Sequence, residues 1–273
     1  MQTSYPAPAK LNLFLHVIGR RPDGYHLLQS VFRFIDYGDS LRFVVRADGA
    51  VTRLNAIAGL PPEQDLCVRA AKLLQRHTGC RLGAEIALDK RLPLGGGSSD
   101  AATTLLVLNR LWDLHLSRAE LQTLALQLGA DVPVFVFGAS AFAEGVGEQL
   151  QAISLPPAWY VVLTPPVQVA TGEIFASSQL TRDTIPIKMS DFSAGRVRND
   201  LEPVVCSTYP VVAEYLGWLK GFGDARMTGS GACVFAAFGT EGEAREVFAQ
   251  RPAGMQGFVA RGLDRHPLHD FAQ

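Results

Sequence analysis

Apolar residues in this chain fall into two rhythms: short β-rich runs, and stretches where they recur every three or four positions. In the first third, Leu11–Ile18 reads as a strand ending at Gly19. Val31–Ile35 and Leu41–Val45 read as two more, separated by Tyr37-Gly38-Asp39. Asp65 then opens a helical pattern with Leu66, Ala70, Leu73 and Leu74 on one side, ending near Gly79. Ala84–Leu88 is a further strand, and it feeds Leu92-Pro93-Leu94-Gly95-Gly96-Gly97-Ser98-Ser99-Asp100. Asp100 is expected to cap the apolar helix that follows, Ala101-Ala102-Thr103-Thr104-Leu105-Leu106-Val107-Leu108. Ser117 and Glu120 form a capping box, which predicts a helix running to about Leu128 and stopped by Gly129.

Pro156-Pro157 reads as a seam between two domains, 1–155 and 156–273. Beyond it, Trp159–Leu163 is a strand, helical patterns cover Gly172–Gln179, Pro210–Leu219 and Glu241–Gln250, and strands lie near Cys233–Phe238 and Gly257–Ala260. Thr228–Gly231 is the turn of a hairpin joining Ala225–Met227 to Cys233–Phe238. Strands and helices mix without a regular βαβ repeat, which predicts an α+β protein.

Composition narrows the function classes. The chain has 273 residues, 48% hydrophobic and 19% charged, and a formal net charge of −1. It has no basic run, so bulk electrostatics give no reason to expect a nucleic-acid or membrane-surface partner. Cys67, Cys80, Cys206 and Cys233 are far apart, which fits neither a zinc site nor a disulfide framework. No secretory leader pattern is visible, and no run approaches the ~18 apolar residues of a membrane span. A cytoplasmic location is expected by elimination.

The glycine segment carries the first candidate chemistry. Glycines let backbone N–H groups approach a ligand, and a helix start adds the positive end of its dipole, so such a corner suits a phosphate. It is neither a Gly-Lys-Ser/Thr loop nor Gly-x-Gly-x-x-Gly, and a plain tight turn is the local alternative.

Pro6-Ala7-Pro8-Ala9-Lys10-Leu11-Asn12-Leu13, Pro22-Asp23-Gly24-Tyr25-His26, Leu128-Gly129-Ala130-Asp131-Val132-Pro133-Val134-Phe135 and Thr228-Gly229-Ser230-Gly231-Ala232-Cys233-Val234-Phe235 occur in that order around the glycine segment. Phe142-Ala143-Glu144-Gly145-Val146-Gly147-Glu148 and Asn199-Asp200-Leu201-Glu202-Pro203 complete the set. In these motifs the chain resembles the GHMP small-molecule kinases nearly end to end.

The resemblance implies a two-domain fold with the active site in the cleft between the domains. It also implies an ATP- and Mg²⁺-dependent kinase whose small-molecule substrate is 4-diphosphocytidyl-2-C-methyl-D-erythritol. Asp131 would be the catalytic base and Lys10 its electrostatic partner; locally, Asp131 also reads as the cap of a short helix and Lys10 as a surface lysine. Asn12, Tyr25 and His26, with Thr171 and Phe175 across the cleft, would hold the cytidine and erythritol parts. A turn aromatic, a core Phe and a solvated His are the plain alternatives. The ATP side would comprise Asp65, Lys90, Pro93, Leu94, Gly95, Gly96, Gly97, Ser98, Ser99 and Asp100, with a helix cap and a strand end as the local readings of Asp65 and Lys90. Ser98, Ser99 and Glu144 suit Mg²⁺ and equally suit capping or surface roles; the metal ligands are not fixed by the sequence.

Two departures from the family pattern stand out. Pro93-Leu94 leads directly into Gly95, about four residues short of the usual Pro-x-Gly-x-Gly-Leu-Gly-Gly-Gly-Ser-Ser, a loss of roughly 13–14 Å of contour. Asp65 replaces the usual Asn, and a carboxylate cannot donate a hydrogen bond as an amide can. A catalytically impaired protein that still binds the cytidine diphosphate ligand is therefore the alternative expectation. An acceptor of the homoserine or mevalonate type is a third, disfavoured by Asp23-Gly24-Tyr25-His26.

Overall fold

Two long strands open the chain, β1 (Tyr5–Arg20) and β2 (His26–Arg46), and they pair with each other. The computed structural model describes residues 3–55, 61, 63–92, 96–192 and 197–272. β2 runs unbroken through Tyr37-Gly38-Asp39, where the sequence suggested a break between two strands. Gly38 explains the difference: a Cβ there would lie 2.2 Å from the Ala7 carbonyl oxygen and 2.6 Å from Pro8 Cα. The glycine marks a close backbone approach inside a strand, not a turn.

The chain forms two compact units, one of Met1–Ala9, Tyr37–Ala139 and Arg265–Gln273, the other of Lys10–Asp36 and Ser140–Asp264. This division does not fall at the expected seam of 155/156, because β1 and β2 each contribute residues to both units.

The first unit adds β3 (Val51–Arg53), α1 (Leu66–Thr78), β4 (Gly83–Asp89), α2 (Gly97–Leu111), α3 (Arg118–Leu126) and α4 (Val132–Phe137). β4 is antiparallel to the end of β2, with Ser40 opposite Asp89 and Arg46 opposite Gly83, and parallel to β3. Asp65 caps α1 as expected, its side chain accepting from the amides of Cys67 and Val68, and Gly79 ends the helix in the left-handed conformation. α2 is buried continuously from Ser99 to Asn109, as befits a helix enclosed on all sides. It begins at Gly97, earlier than expected, with Gly96 as N-cap at φ 83°. Asp100 therefore sits inside the first turn and is not the cap. The Ser117–Glu120 capping box is present, and α3 ends at Leu126 with Gln127 as its C-cap.

The second unit adds β5 (Ala141–Glu144), β6 (Gln149–Ala152), β7 (Trp159–Leu163), α5 (Thr171–Ala176), α6 (Met189–Phe192), α7 (Glu202–Thr208), α8 (Pro210–Lys220), β8 (Arg226–Met227), β9 (Val234–Phe238), α9 (Glu241–Ala249) and β10 (Gly257–Leu263). Its sheet runs from the first part of β2 through β10, β7 and β9 to β8, each pair antiparallel, with β5 also on β2 and β6 beyond it. Leu15, Val17, Val161, Leu163, Leu216, Leu219, Val234 and Ala236 form the centre of its core. The expected hairpin is present, with Arg226 opposite Phe235 and Met227 opposite Val234. Strands and helices of both units mix as an α+β protein.

Candidate active site

Around the glycine segment, the side chains are organised by one buried carboxylate that sequence reasoning missed. Asp39, with a fully buried side chain, accepts the amides of Arg91 at 2.6 Å and Leu92 at 2.8 Å. Its other oxygen meets Lys90 Nζ at 2.5 Å, and that ammonium also reaches Asp100 at 3.3 Å. Lys90 thus joins the end of β4 to the first turn of α2. Burial pushes the Asp100 carboxyl up to about 7 against the pull of Lys90, and the neighbouring Asp39 charge adds to the rise. Gly96 lies directly on this pair: a Cβ would sit 2.7 Å from both Asp39 Oδ2 and Lys90 Nζ.

Ser99 is fully buried and donates to the Pro8 carbonyl at 2.7 Å, so its hydroxyl anchors β1. Asp65 has both oxygens engaged, Oδ1 by the α1 amides and Oδ2 by Arg53. Gly96, Gly97 and Ser98 are half-buried at the start of α2, which no side chain caps. Its first amides therefore lack intrahelical acceptors, which suits an anion. Pro93, Leu94 and Gly95 lie outside the described residues.

Asp131 is exposed at the start of α4, with φ −86° and ψ −10°, and makes no capping hydrogen bond to that helix. Asp131 thus occupies the cap position that the local reading gives it, with Pro133 just inside the helix, but without the side-chain bond of a cap.

In the second unit, Lys10 extends from β1 with Nζ 2.5 Å from Asn12 Oδ1 and 4.9 Å from the Phe32 ring centre. Asn12 is buried: Nδ2 donates to Ser30 Oγ at 2.8 Å, and Ser30 donates to the Phe14 carbonyl at 2.6 Å. The Asn12 amide donates to Thr228 Oγ1 at 2.8 Å, tying β1 to the glycine-rich turn. Asn199 holds the same turn, donating to the carbonyls of Met227 and Gly229, both at 2.8 Å. The Asn199-Asp200 motif, legible in the sequence but given no role, is thus a brace.

Tyr25 is 63% exposed after the left-handed Gly24. His26 stacks on Phe175 with centroids 4.9 Å apart, and Arg182 donates to its Nε2 at 3.1 Å. Burial, then the charges of Arg182 and Arg20, hold the His26 imidazole below its ordinary value. Thr171 Oγ1 lies 2.8 Å from Ser230 Oγ in the glycine turn. Glu144 receives a hydrogen bond from Gln29 at 2.8 Å. Among the described residues, no group of three or more His, Cys, Asp or Glu could hold a metal.

Two family models match the chain. The N-terminal domain of GHMP kinases matches residues 65–139, and the GHMP kinase C-terminal domain matches residues 182–256. The chain belongs to the GHMP kinases. Within that family it is 63% identical to the 4-diphosphocytidyl-2-C-methyl-D-erythritol kinase of Nitrosospira multiformis, over 100% of this chain and 95% of the relative. A crystal structure of 4-(cytidine 5'-diphospho)-2C-methyl-D-erythritol kinase superposes with a TM-score of 0.80 at 32% identity, covering 95% of this chain and 99% of that one. Homoserine kinase from Cytophaga hutchinsonii shares the fold, with a TM-score of 0.68 at 15% identity over 96% of this chain and 94% of that one.

Proposed function

We propose that this chain transfers the γ-phosphoryl group of ATP to the 2-hydroxyl of 4-diphosphocytidyl-2-C-methyl-D-erythritol, a step of isoprenoid precursor synthesis. The observation that carries this reading is the near-full-length match to kinases of that name at 63% identity. The acceptor oxygen attacks the γ-phosphorus as the bond to the β-phosphate oxygen breaks, and ADP leaves. Asp131, exposed at the start of α4, receives the hydroxyl proton. Lys10, oriented by Asn12, supplies the positive charge on the acceptor side. The uncapped start of α2 would cradle the phosphates, and Ser98 there would help hold Mg²⁺, which would neutralise phosphate charge. Tyr25, His26 and Phe175 offer the base a stacking face, and Thr171 with the glycine turn lines the polyol.

The impaired-binder alternative rested on the short loop, and nothing in the relatives supports it. No helix among the described residues is long and apolar enough to cross a membrane, which suits a cytoplasmic small-molecule enzyme. ADP release with the cytidine substrate tests the proposal. Asp131→Asn is expected to lower kcat by about 10²–10⁴, the usual contribution of a positioned general base. Full turnover in that variant, or none in the parent chain, would sink it.

A further inference from the structure

Arg182 lies outside every motif noted in the sequence, in the segment between α5 and α6, yet its guanidinium makes four hydrogen bonds. Nε donates to His26 Nε2 at 3.1 Å, and Nη1 donates to the Leu180 carbonyl at 3.1 Å. Nη2 donates to the carbonyls of Phe175 at 2.8 Å and Ser177 at 2.7 Å. One side chain therefore touches both members of the His26–Phe175 stack: the ring of the first and the backbone of the second. The carbonyls it gathers belong to the last turn of α5 and the residues just after it, where a cation also complements the helix end.

The direction of the Nε bond has a chemical consequence. A ring nitrogen that accepts a hydrogen bond cannot carry the proton, so the ring is neutral and its single N–H is on Nδ1. We infer that Arg182 is a positioning residue: it locks His26 as the Nδ1–H tautomer against Phe175, so that the ring offers one donor, and no charge, to the ligand. The inference rests on the proposed function in one respect, that this wall receives the cytidine diphosphate. The complementary group is then an acceptor on that ligand, a pyrimidine carbonyl or ring nitrogen or a phosphate oxygen. The two charges acting on the ring, Arg182 and Arg20 at the end of β1, are both cationic and both oppose its protonation. Lysine is a poor replacement, since a single ammonium cannot span an imidazole and three carbonyls in a planar fork.

The test has two arms. Long-range ¹⁵N–¹H spectra of the ligand-free protein with labelled histidine rings, assigned by the signal lost in His26→Phe, read the tautomer directly. The parent is expected to show a protonated Nδ1 and a bare Nε2 at His26. In Arg182→Ala and Arg182→Lys the ring should become a tautomer mixture, and in Arg182→Ala its titration midpoint should rise toward 6.5, the ordinary value for histidine. In the kinetic arm, both variants should raise KM for the cytidine substrate roughly tenfold and leave KM for ATP and kcat within about twofold, and Arg182→Ala, which also removes the charge, should carry the acid limb of kcat/KM to higher pH. A protonated Nε2 in the parent would overturn the inference, and so would an unchanged ring in both variants. If the cytidine compound is not a substrate at all, the proposed function fails while the spectra still decide the role of Arg182. If Arg182→Ala does not fold, the parent spectrum and Arg182→Lys decide it.

Discussion

The carboxylate at position 65 finds its explanation in a single side chain: its second oxygen pairs with Arg53, whose side chain is only 7% exposed. The carboxylate is thus a cap and the counter-ion of a buried guanidinium together. Asp65→Asn would keep the capping acceptor and lose the charge, and is expected to destabilise the protein by about 2–4 kcal/mol, because it strands a buried cation. Asp65→Ala also removes the cap and should cost about 1 kcal/mol more. Chemical denaturation of the two variants checks the order; equal stability of Asp65→Asn and the parent would show that Arg53 needs no partner. None of this was legible in the sequence, because Arg53 lies outside the motif and only the fold brings it to the start of α1. The cap itself was legible, since it depends on residues two and three positions along.

At the scale of elements, local signals carried far and long-range ones did not. The capping boxes at Ser117 and Thr240, the Gly79 stop and the 226–238 hairpin all depend on neighbours in sequence, which makes such features legible there. The start of α2 is not legible in the sequence, because Asp100 is a good capping residue type and only the fold shows it inside the first turn, paired with Lys90. The continuity of β2 is not legible either, because Gly38 reads as a turn unless the backbone of Ala7 and Pro8 is known to lie against it. Gly38→Ala should therefore weaken the β1–β2 ladder and lower the melting temperature by several degrees, the loss expected when overpacking costs about 1–3 kcal/mol. The same reasoning bears on the short glycine loop. Asp39 fixes the amides of Arg91 and Leu92 before it, and Lys90 links Asp39 to Asp100 after it, so both ends are tied independently of loop length. Asp39→Asn keeps an acceptor for the amides but releases Lys90. It should raise KM for ATP several-fold with little change in kcat, and unchanged ATP kinetics would show that the tie does not serve the nucleotide.

For the whole molecule, two buried groups act on stability with opposite signs over nearly the same pH range. Asp100 titrates near 7 in the fold against 3.8 in a free side chain. Between those values the folded chain keeps a proton that the unfolded chain has lost, so this contribution to stability is full below pH 3.8 and falls as pH rises to 7. His266 is the reverse: burial, helped by Arg118 and His269, brings it down to about 3 from 6.5. Its contribution is full above pH 6.5 and falls as pH drops toward 3, because the unfolded chain takes up the proton first. His16, also lowered by burial, acts in the same direction as His266. Each fully offset group contributes a slope of about 1.4 kcal/mol per pH unit, so from roughly pH 4 to 6.5 Asp100 and His266 nearly cancel. Removing one should unmask the other. Asp100→Asn is expected to leave a chain whose stability, relative to the parent, climbs as pH rises from 4.5 to 6.5, whatever constant penalty the lost Lys90 contact adds. Urea midpoints at pH 4.5, 5.5 and 6.5 measure that climb. Parallel curves for variant and parent would mean that Asp100 titrates as an ordinary carboxylate and that burial beneath the start of α2 does not govern its proton.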